Sequence, residues 1–453
     1  MPSEKLFAKI TISSILLISI LVIAMSCKEC PTEPEYDISL SVEDIACVWV
    51  TFNVILPDSG KINTFTLERN DSTVATYTCY DDDTLIIDDG LTPDNDYSYT
   101  VCFLKDNKTK ATSDPVSIHT LSTTSNDFVW EIDTLGNYGS YLKDAWIVDE
   151  NNIWVVGYLR VDDPDSSFDG TGQETFNAAR WDSDKWNLFR FERGAPLISI
   201  WYFNENDIWA TGGVPIHWDG EKWKFYHLWN MGILDNNDGG VEHIWASSPD
   251  DIYFVGRNGS IVHYNGSTFS KMNSGTEINL EDVYGIGSHV FATGSEYEDE
   301  YSGQSVAMHG RNGQWKTVRH EYAFYPQKST DWGKICSSWA YEKYAYYIAY
   351  SGLMRYDPEN SNLEECFSIN EMNTYHLNII KIKGNALNDI IHVNNWAHIV
   401  HYNGETWLPI EDVFNQYPDG GIDVEGMDFK GDVVAIVGFT RYYSHAAVVR
   451  GHR

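Results

Sequence analysis

The sequence predicts an all-β protein built as two bodies, a small β-sandwich followed by a seven-bladed β-propeller. Three observations carry that expectation. Between Tyr36 and Leu121 short alternating strands are punctuated by Asp-, Asn-, Gly- and Pro-rich turns at the roughly 8- to 12-residue spacing of a sandwich. Of 17 tryptophans, 16 lie beyond residue 126. In that second part a short apolar strand recurs seven times, at intervals of 38 to 55 residues, close to the roughly 40 to 50 residues of one four-stranded propeller blade. At 453 residues the chain is also too long for one ordinary domain.

Composition narrows the function. The formal charge is −35, from 66 acidic and 31 basic residues, and no Lys/Arg cluster interrupts that field, so a phosphate backbone would be repelled and nucleic acid is excluded as a partner. A hydrophobic content of 43% suffices for a core, which assigns the acidity to the surface.

The N-terminus belongs to neither body. Lys5 and Lys9 precede an uncharged run from Ile10 to Ser26 that ends at Cys27, the layout of a secretory n-region and h-region. Its end, "AMSC", resembles the bacterial lipoprotein signal, in which a small residue precedes an invariant cysteine; Ser26 and Cys27 match that pattern, and Ala24 stands where Leu is commoner. The resemblance implies a signal peptide over 1–26, lipidation of Cys27, a Pro-containing tether over 27–35 and export to the cell envelope, at the outer membrane or cell surface, with the lipid as the only membrane contact. Cys30, Cys47, Cys79, Cys102, Cys336 and Cys366 remain, at spacings that set no disulfide framework.

Residues 36–121 form the predicted sandwich. "GLTPDNDYSYTV" contains Leu91 and Tyr97 in a Leu-x-Pro-x-x-x-Tyr pattern and resembles the corner of fibronectin type III domains. The resemblance implies a buried Leu91 and a Tyr97 hydroxyl that bonds back to the chain; the family's strand-B tryptophan is either Trp49 or replaced by Phe52. No RGD-like loop is present, so adhesion does not carry over and the domain reads as a spacer.

"STTSND" over 122–126 and Asp127 reads as a polar linker. The recurring strand then appears as "NNIWVVG", "NDIWATG", "DDIYFVG" and "SHVFATG", and in weaker form as "YAYYIAY", "NDIIHVN" and "DVVAIVG"; in the clearest units it leads into an aromatic, Asp/Asn-Gly, aromatic hairpin. The last unit, ending "AAVVRGHR", lacks its aromatic final strand, while "DFVWEIDTL" at 127–135 precedes the first full unit. The expectation is that 127–135 completes the last blade and closes a ring over 127–453, removing open sheet edges.

The most site-like stretch, "IHWDGEKW" at Ile216–Trp223, returns as "VHYNGSTF" and "VHYNGETW". Asp219-Gly220, Asn265-Gly266 and Asn403-Gly404 therefore read as repeated hairpin turns, with positive φ open to both residues of each pair, and the flanking aromatics as packing pairs. His217, His263 and His401 share one position of the unit, on different blades, which argues against a common metal. Acidic runs at 80–84, 234–240 and 296–301 lack EF-hand spacing. No nucleophile elbow, H-E-x-x-H, Walker loop or dinucleotide turn occurs, so no catalytic residue, metal or cofactor is assigned.

The units resemble the propeller repeats of exported bacterial proteins, similar to the periplasmic propellers of two-component regulators, over most of 125–453. Ala or Val replaces the family's usual small-residue ending, and no membrane helix or kinase follows Arg453, so transmembrane signalling does not carry over. The expected function is an envelope binding protein, not an enzyme, that presents a propeller rim to a protein or glycan, with the insertions around 162–176 and 322–332 as contributors. The alternatives are a carbohydrate-active hydrolase or lyase on the same ring and a structural subunit of an envelope complex.

Overall fold

A computed structural model describes residues 36–453 apart from 58–61, 81–82, 164–171, 192–193, 299–301, 326–327, 329, 373–378, 395–397, 411–412, 414–420 and 442–444. The signal, Cys27 and the tether therefore lie outside the described residues. No helix among those described is long and apolar enough to cross a membrane. The chain divides into two units between Thr120 and Leu121.

The first unit has two antiparallel sheets. One holds β1 (Ser39–Ile45), β2 (Trp49–Ile55) and β5 (Asp83–Asp89); the other holds β3 (Asn63–Arg69), β4 (Ser72–Cys79), β6 (Asp96–Lys105), β7 (Lys108–Thr112) and β8 (Val116–His119). Alternation along β2 buries Val50, Phe52 and Val54 against Phe65, Leu67, Tyr99 and Val101 of the facing sheet. Phe52 is fully buried and Trp49 only half-buried, so the phenylalanine holds the core position. Leu91 is buried, and the Tyr97 hydroxyl accepts a hydrogen bond from the Thr92 N–H at 2.9 Å. That bond favours the phenolate and lowers the Tyr97 pKa.

In the second unit, among the described residues, seven four-stranded antiparallel sheets follow one another, the seventh ordered so that β9 (Val129–Leu135) is its outer strand. β9 pairs with Ala446–His452 in unbroken register from Leu135↔Ala446 to Val129↔His452. The first strands of the sheets touch in succession, and that of the seventh touches that of the first, so the sheets are blades of a closed ring. These inner strands are Tyr141–Asp149, Ser199–Asn204, Val241–Ser248, Leu280–Ile286, Ile335–Tyr341, Ile379–Ala386 and Ile422–Lys430. The recurring strand of the sequence is the second of each blade: Asn152–Asp162, Asp207–Thr211, Asp251–Gly256, His289–Tyr297, Tyr344–Ala349, Asp389–Asn394 and Val433–Thr440.

The apolar residues of these strands meet between blades. One cluster joins Leu142, Ile147 and Val155 of blade 1 to Val437 and Val448 of blade 7; another joins Trp209 of blade 2 to Phe254 and Phe269 of blade 3. Burying a side chain of this size is worth roughly 1.5–3 kcal/mol.

Residues 122–126 depart from the expected linker. The Thr124 N–H bonds to the Asn403 carbonyl at 3.0 Å, its hydroxyl to the Asn388 carbonyl at 2.8 Å, and Asn126 to the His401 ring at 2.6 Å. Their polarity satisfies polar groups at the edge of blade 6 and does not mark a free connector.

Candidate functional site: the mouth of the central channel

Six of the seven inner strands carry a β-bulge near their start, at Leu142/Asp144, Val241/His243, Leu280/Asp282, Ile335/Ser337, Ile379/Lys381 and Val424/Gly426. A bulge sets two residues against one and bends the strand. The extra residues, Lys143, Glu242, Glu281, Cys336, Ile380 and Glu425, border one cavity of about 520 Å3 at the mouth of the channel. Asp144, Ser199, His243, Asp282 and Lys381 come next along the strands and border a narrower cavity of about 150 Å3. Lys143, His243, Lys381 and Glu425 border both, so the two spaces are continuous.

The glycines that end the recurring strand make room for these bulges. Gly157 pairs with Leu142, Gly256 with Val241, Gly294 with Leu280 and Gly438 with Val424. A Cβ at any of them would overlap a carbonyl oxygen at the start of the inner strand or just before it: Tyr141, Gly240, Asn279 or Asp423. Gly294→Ala is expected to cost about 1–3 kcal/mol of stability through this backbone overlap, and urea unfolding measures it; a loss below about 0.5 kcal/mol would contradict the assigned role.

Charge at the mouth differs from charge over the chain. The larger cavity is bordered by four basic residues, Lys143, Arg257, Lys334 and Lys381, and four acidic ones, Glu242, Glu281, Asp423 and Glu425. Most of the carboxylates are engaged. Glu425 pairs with Lys143 at 2.8 Å, Glu242 with Arg257 at 2.7 Å and Asp423 with Arg441 at 2.8 Å, and Glu281 accepts from Ser295 at 2.7 Å. Lys334 donates to the Tyr297 hydroxyl, and its ammonium lies 5.5 Å from the Phe324 ring centre. Burial alone would lower the Lys334 pKa, but Cys336, Glu281 and Tyr297 more than offset it and the net shift is upward. Burial pushes the neighbouring Cys336 thiol up to about 11, so it is not a nucleophile at neutral pH.

Below the mouth, three aspartates fasten adjacent blades. Asp144 accepts from the Ser199 hydroxyl at 2.7 Å and the Ile200 N–H at 3.1 Å. Asp282 accepts from the Ser337 hydroxyl at 2.6 Å and the Ser338 N–H at 2.9 Å, and Asp428 from the Ile147 N–H at 2.7 Å. Their surroundings split their pKa values. Burial raises Asp144 to about 6 against the pull of Ser199 and Ile200, and raises Asp428 as well. Asp282 is equally buried, yet Lys381 and Lys383 overcome that penalty and hold it at about 2. His243, buried and facing Lys381, Lys143 and Lys383, falls to about 3 and is neutral at ordinary pH.

The repeated motif lies elsewhere. Asp219-Gly220, Asn265-Gly266 and Asn403-Gly404 occupy four-residue hairpin turns on blades 2, 3 and 6, bounded by Trp218↔Trp223, Tyr264↔Phe269 and Tyr402↔Trp407. These aromatic pairs pack at ring-centre distances of 5.3, 4.6 and 4.8 Å. Of each pair only the glycine takes positive φ, at 88°, 84° and 98°. The Asp or Asn instead accepts bonds from the N–H groups two and three residues on, at 2.9–3.1 Å, an Asx turn that leaves its own backbone in an ordinary conformation. His217, His263 and His401 each bond within their blade to Asp207, Asp251 and Asp389, at 2.8, 2.7 and 2.8 Å. Among the described residues no group of three or more His, Cys, Asp or Glu is placed to hold a metal ion.

Of the two insertions, 162–176 lies partly outside the described residues. In the other, Phe324 packs on Tyr297 at 4.8 Å and Tyr325 on Tyr350 at 5.7 Å, and both Tyr297 and Tyr350 border the mouth; Tyr322 and Tyr325 are exposed. The inner-strand residues themselves escape a reading based on the repeat. Their signal in the sequence is a pair of charged or polar residues inside an otherwise apolar strand, as in "LKDAWIV", "EHIWA", "LEDVYGI" and "IIKIKG".

No protein-family profile matches the chain, and no curated protein does. Among solved structures, YCF48 bound to D1 peptide is similar with a TM-score of 0.50 at 15% identity, over 73% of this chain and 100% of that one. The extracellular domain of a B. thetaiotaomicron protein described as a one component system aligns with a TM-score of 0.47 at 9% identity, over 71% of this chain and 40% of that one. PorZ, a surface component of the type-IX secretion system of Porphyromonas gingivalis, aligns with a TM-score of 0.28 at 10% identity, over 91% of this chain and 65% of that one. At these identities the likeness to YCF48 is one of β-propeller fold alone, the architecture that the seven blades display directly.

Proposed function

We propose that this protein is an exported, lipid-anchored binding protein whose propeller takes a protein or glycan ligand at the mouth of its central channel. The observation that carries the reading is the cavity of about 520 Å3 bordered by bulged inner-strand residues of mixed type: glutamate on three blades, and Lys143, Cys336 and Ile380 on three others. A concave space with charged and aromatic groups converging on it is the usual form of a binding site. Aromatic faces at Tyr297 and Tyr350, together with ion pairs of both signs, suit a polypeptide or a sugar. YCF48, which shares the propeller fold, was solved with a peptide, and that supports a polypeptide ligand. The lipid anchor rests on Ser26 and Cys27 of the leader, and the fibronectin type III-like reading of the first unit rests on the Leu91 and Tyr97 corner; a spacer function follows.

The competing reading, a hydrolase or lyase, draws on the raised Asp144 and Asp428 in the channel. Both are bonded to backbone N–H groups of a neighbouring blade, which accounts for them as fasteners, so binding is the better reading. Glycan and peptide arrays probed with the protein test it. The expected result is a saturable hit that Tyr297→Ala and Arg257→Ala weaken at least tenfold, with Cys27→Ala releasing the protein from the membrane fraction. A hit indifferent to both mouth variants would refute the site, and retention of the Cys27 variant would refute the anchor.

A further inference from the structure

The third strand of every blade holds a basic residue at one place, opposite the third residue of the second strand. It is His217, His263, His309 and His401 in blades 2, 3, 4 and 6, and Arg180, Arg355 and Arg450 in blades 1, 5 and 7. In blades 2, 3 and 6 the aspartate that opens the second strand holds the imidazole, at 2.8, 2.7 and 2.8 Å. Blade 4 departs from this pattern: its second strand opens with His289, whose Nδ1 lies 2.8 Å from His309 Nε2. His309 is 4% exposed, and its Nδ1 lies 3.2 Å from the Tyr356 hydroxyl. His289 Nε2 lies 3.2 Å from Glu359, which also accepts from Arg311 at 2.9 Å. Tyr356 and Glu359 belong to the strand Gly352–Asp357 of blade 5 and the turn after it, so this line of bonds crosses from one blade to the next.

We infer that the His289–His309 pair is an acid-sensitive latch between blades 4 and 5, closed while the two rings share one N–H···N bond and opened when both are protonated. The bonding partners set its direction. A carboxylate only accepts, so the neutral His289 donates from Nε2 to Glu359 and accepts at Nδ1; His309 then donates from Nε2 and accepts from the Tyr356 hydroxyl at Nδ1. One added proton is tolerated: His289 becomes the donor at both nitrogens, and the His309 proton moves to Nδ1 to face the Tyr356 oxygen. A second proton sets N–H against N–H between two adjacent cations. In blades 2, 3 and 6 a protonated ring would instead face a carboxylate. Burial, His289, Lys316 and Arg311 all oppose charge on His309, Glu359 alone favours it, and the His309 pKa falls to about 4. A histidine released from the latch takes up its proton near the ordinary value of 6.5. The closed form therefore binds fewer protons between these values, and the stability that it contributes, whole above the ordinary value, is lost as pH falls toward about 4. The second strand of blade 4 runs from this latch to Tyr297 at the mouth, so the device sits on an element of the binding site, although it does not depend on the binding function proposed above.

The test is amide hydrogen exchange of the protein at pH 7 and pH 5, corrected for the intrinsic exchange rate. Segments 289–291, 307–311 and 353–357 are expected to open about tenfold more often at pH 5, the scale of one pKa unit. The matching strands of blades 2 and 3, at 207–211, 215–218, 251–256 and 261–264, should change by less than about threefold, since their histidines face aspartate. His289→Asn gives blade 4 the residue that blade 1 has at this place, Asn152, whose side-chain oxygen accepts from Arg180 at 2.8 Å. An amide oxygen accepts from His309 in either protonation state, so the variant should open in acid no more than blades 2 and 3 do. An equal acid response of blades 2, 3 and 4 in the wild type, or a blade 4 response that His289→Asn retains, would overturn the latch. The wild-type comparison decides the matter even if the variant does not fold.

Discussion

Replacing Asp389 with alanine is expected to destabilise the propeller by about 3–5 kcal/mol, the scale of removing one partner from a buried ion pair. Asp389 is 4% exposed. Its carboxylate accepts from His401 at 2.8 Å, from Asn385 at 2.7 Å and from both Arg453 amino groups at 2.9 and 2.6 Å. Arg453 also donates to the Ser125 carbonyl at 3.0 Å and lies over the Phe128 ring. One carboxylate thus ties blade 6 to the segment that precedes β9. Burial works against its charge, but His401, Arg453 and Asn385 prevail and its pKa is lowered. A carboxylate with a folded pKa below its unfolded one contributes stability that is present above the ordinary carboxylate range and is lost as pH falls through the depressed value. The wild type should lose stability in acid more steeply than Asp389→Ala. Urea unfolding at neutral and acid pH measures both effects; a neutral-pH loss under 1 kcal/mol would contradict the network.

Removing residues 127–135 is expected to have the larger structural consequence, loss of the single cooperative unfolding transition of the propeller. The deletion strips Ala446–His452 of one of its two hydrogen-bonded neighbours. It also removes Asp133, which accepts from Arg450 at 2.9 Å and from Trp186 of blade 1 at 2.9 Å, and uncovers the apolar cluster to which Trp130 and Ile132 contribute. An open edge beside uncovered apolar surface invites pairing with another chain, so the variant should self-associate. Scanning calorimetry and light scattering report the two effects, and a synthetic 127–135 peptide added in trans should partly reverse them. A deletion variant that melts like the wild type would mean that the ring does not depend on this closure.

How much of this was legible in the sequence follows from how local each signal is. The second strand of the blades could be read because its apolar run, closed by Gly in five of the seven, sits within seven residues, and the hairpins because Asp-Gly and Asn-Gly act through their own backbone. The reason for the terminal Gly was hidden: Gly294 leaves room for the Asn279 carbonyl just before the adjoining bulged strand, a contact made outside its own strand. Segment 122–126 misled because its composition is that of a linker, while its bonds run to Asn388, His401 and Asn403, far along the chain. The channel was illegible for the same reason. Lys143, His243, Lys381 and Glu425 stand in four separate strands far apart in the sequence, and only closure of the ring brings them to one space. "IHWDGEKW" stood out by its residue types, yet it is satisfied within its own blade through Asp207, Asp219 and the Trp218–Trp223 pair.

Amide hydrogen exchange on the array-selected complex tests the central claim most directly, because exchange reports protection segment by segment. The expected result is slowed exchange at 241–243, 280–282, 334–337, 380–383 and 423–426, with the hairpin turns at 219–222, 265–268 and 403–406 unchanged. Protection confined to those turns, or to residues 36–120, would contradict recognition at the channel mouth.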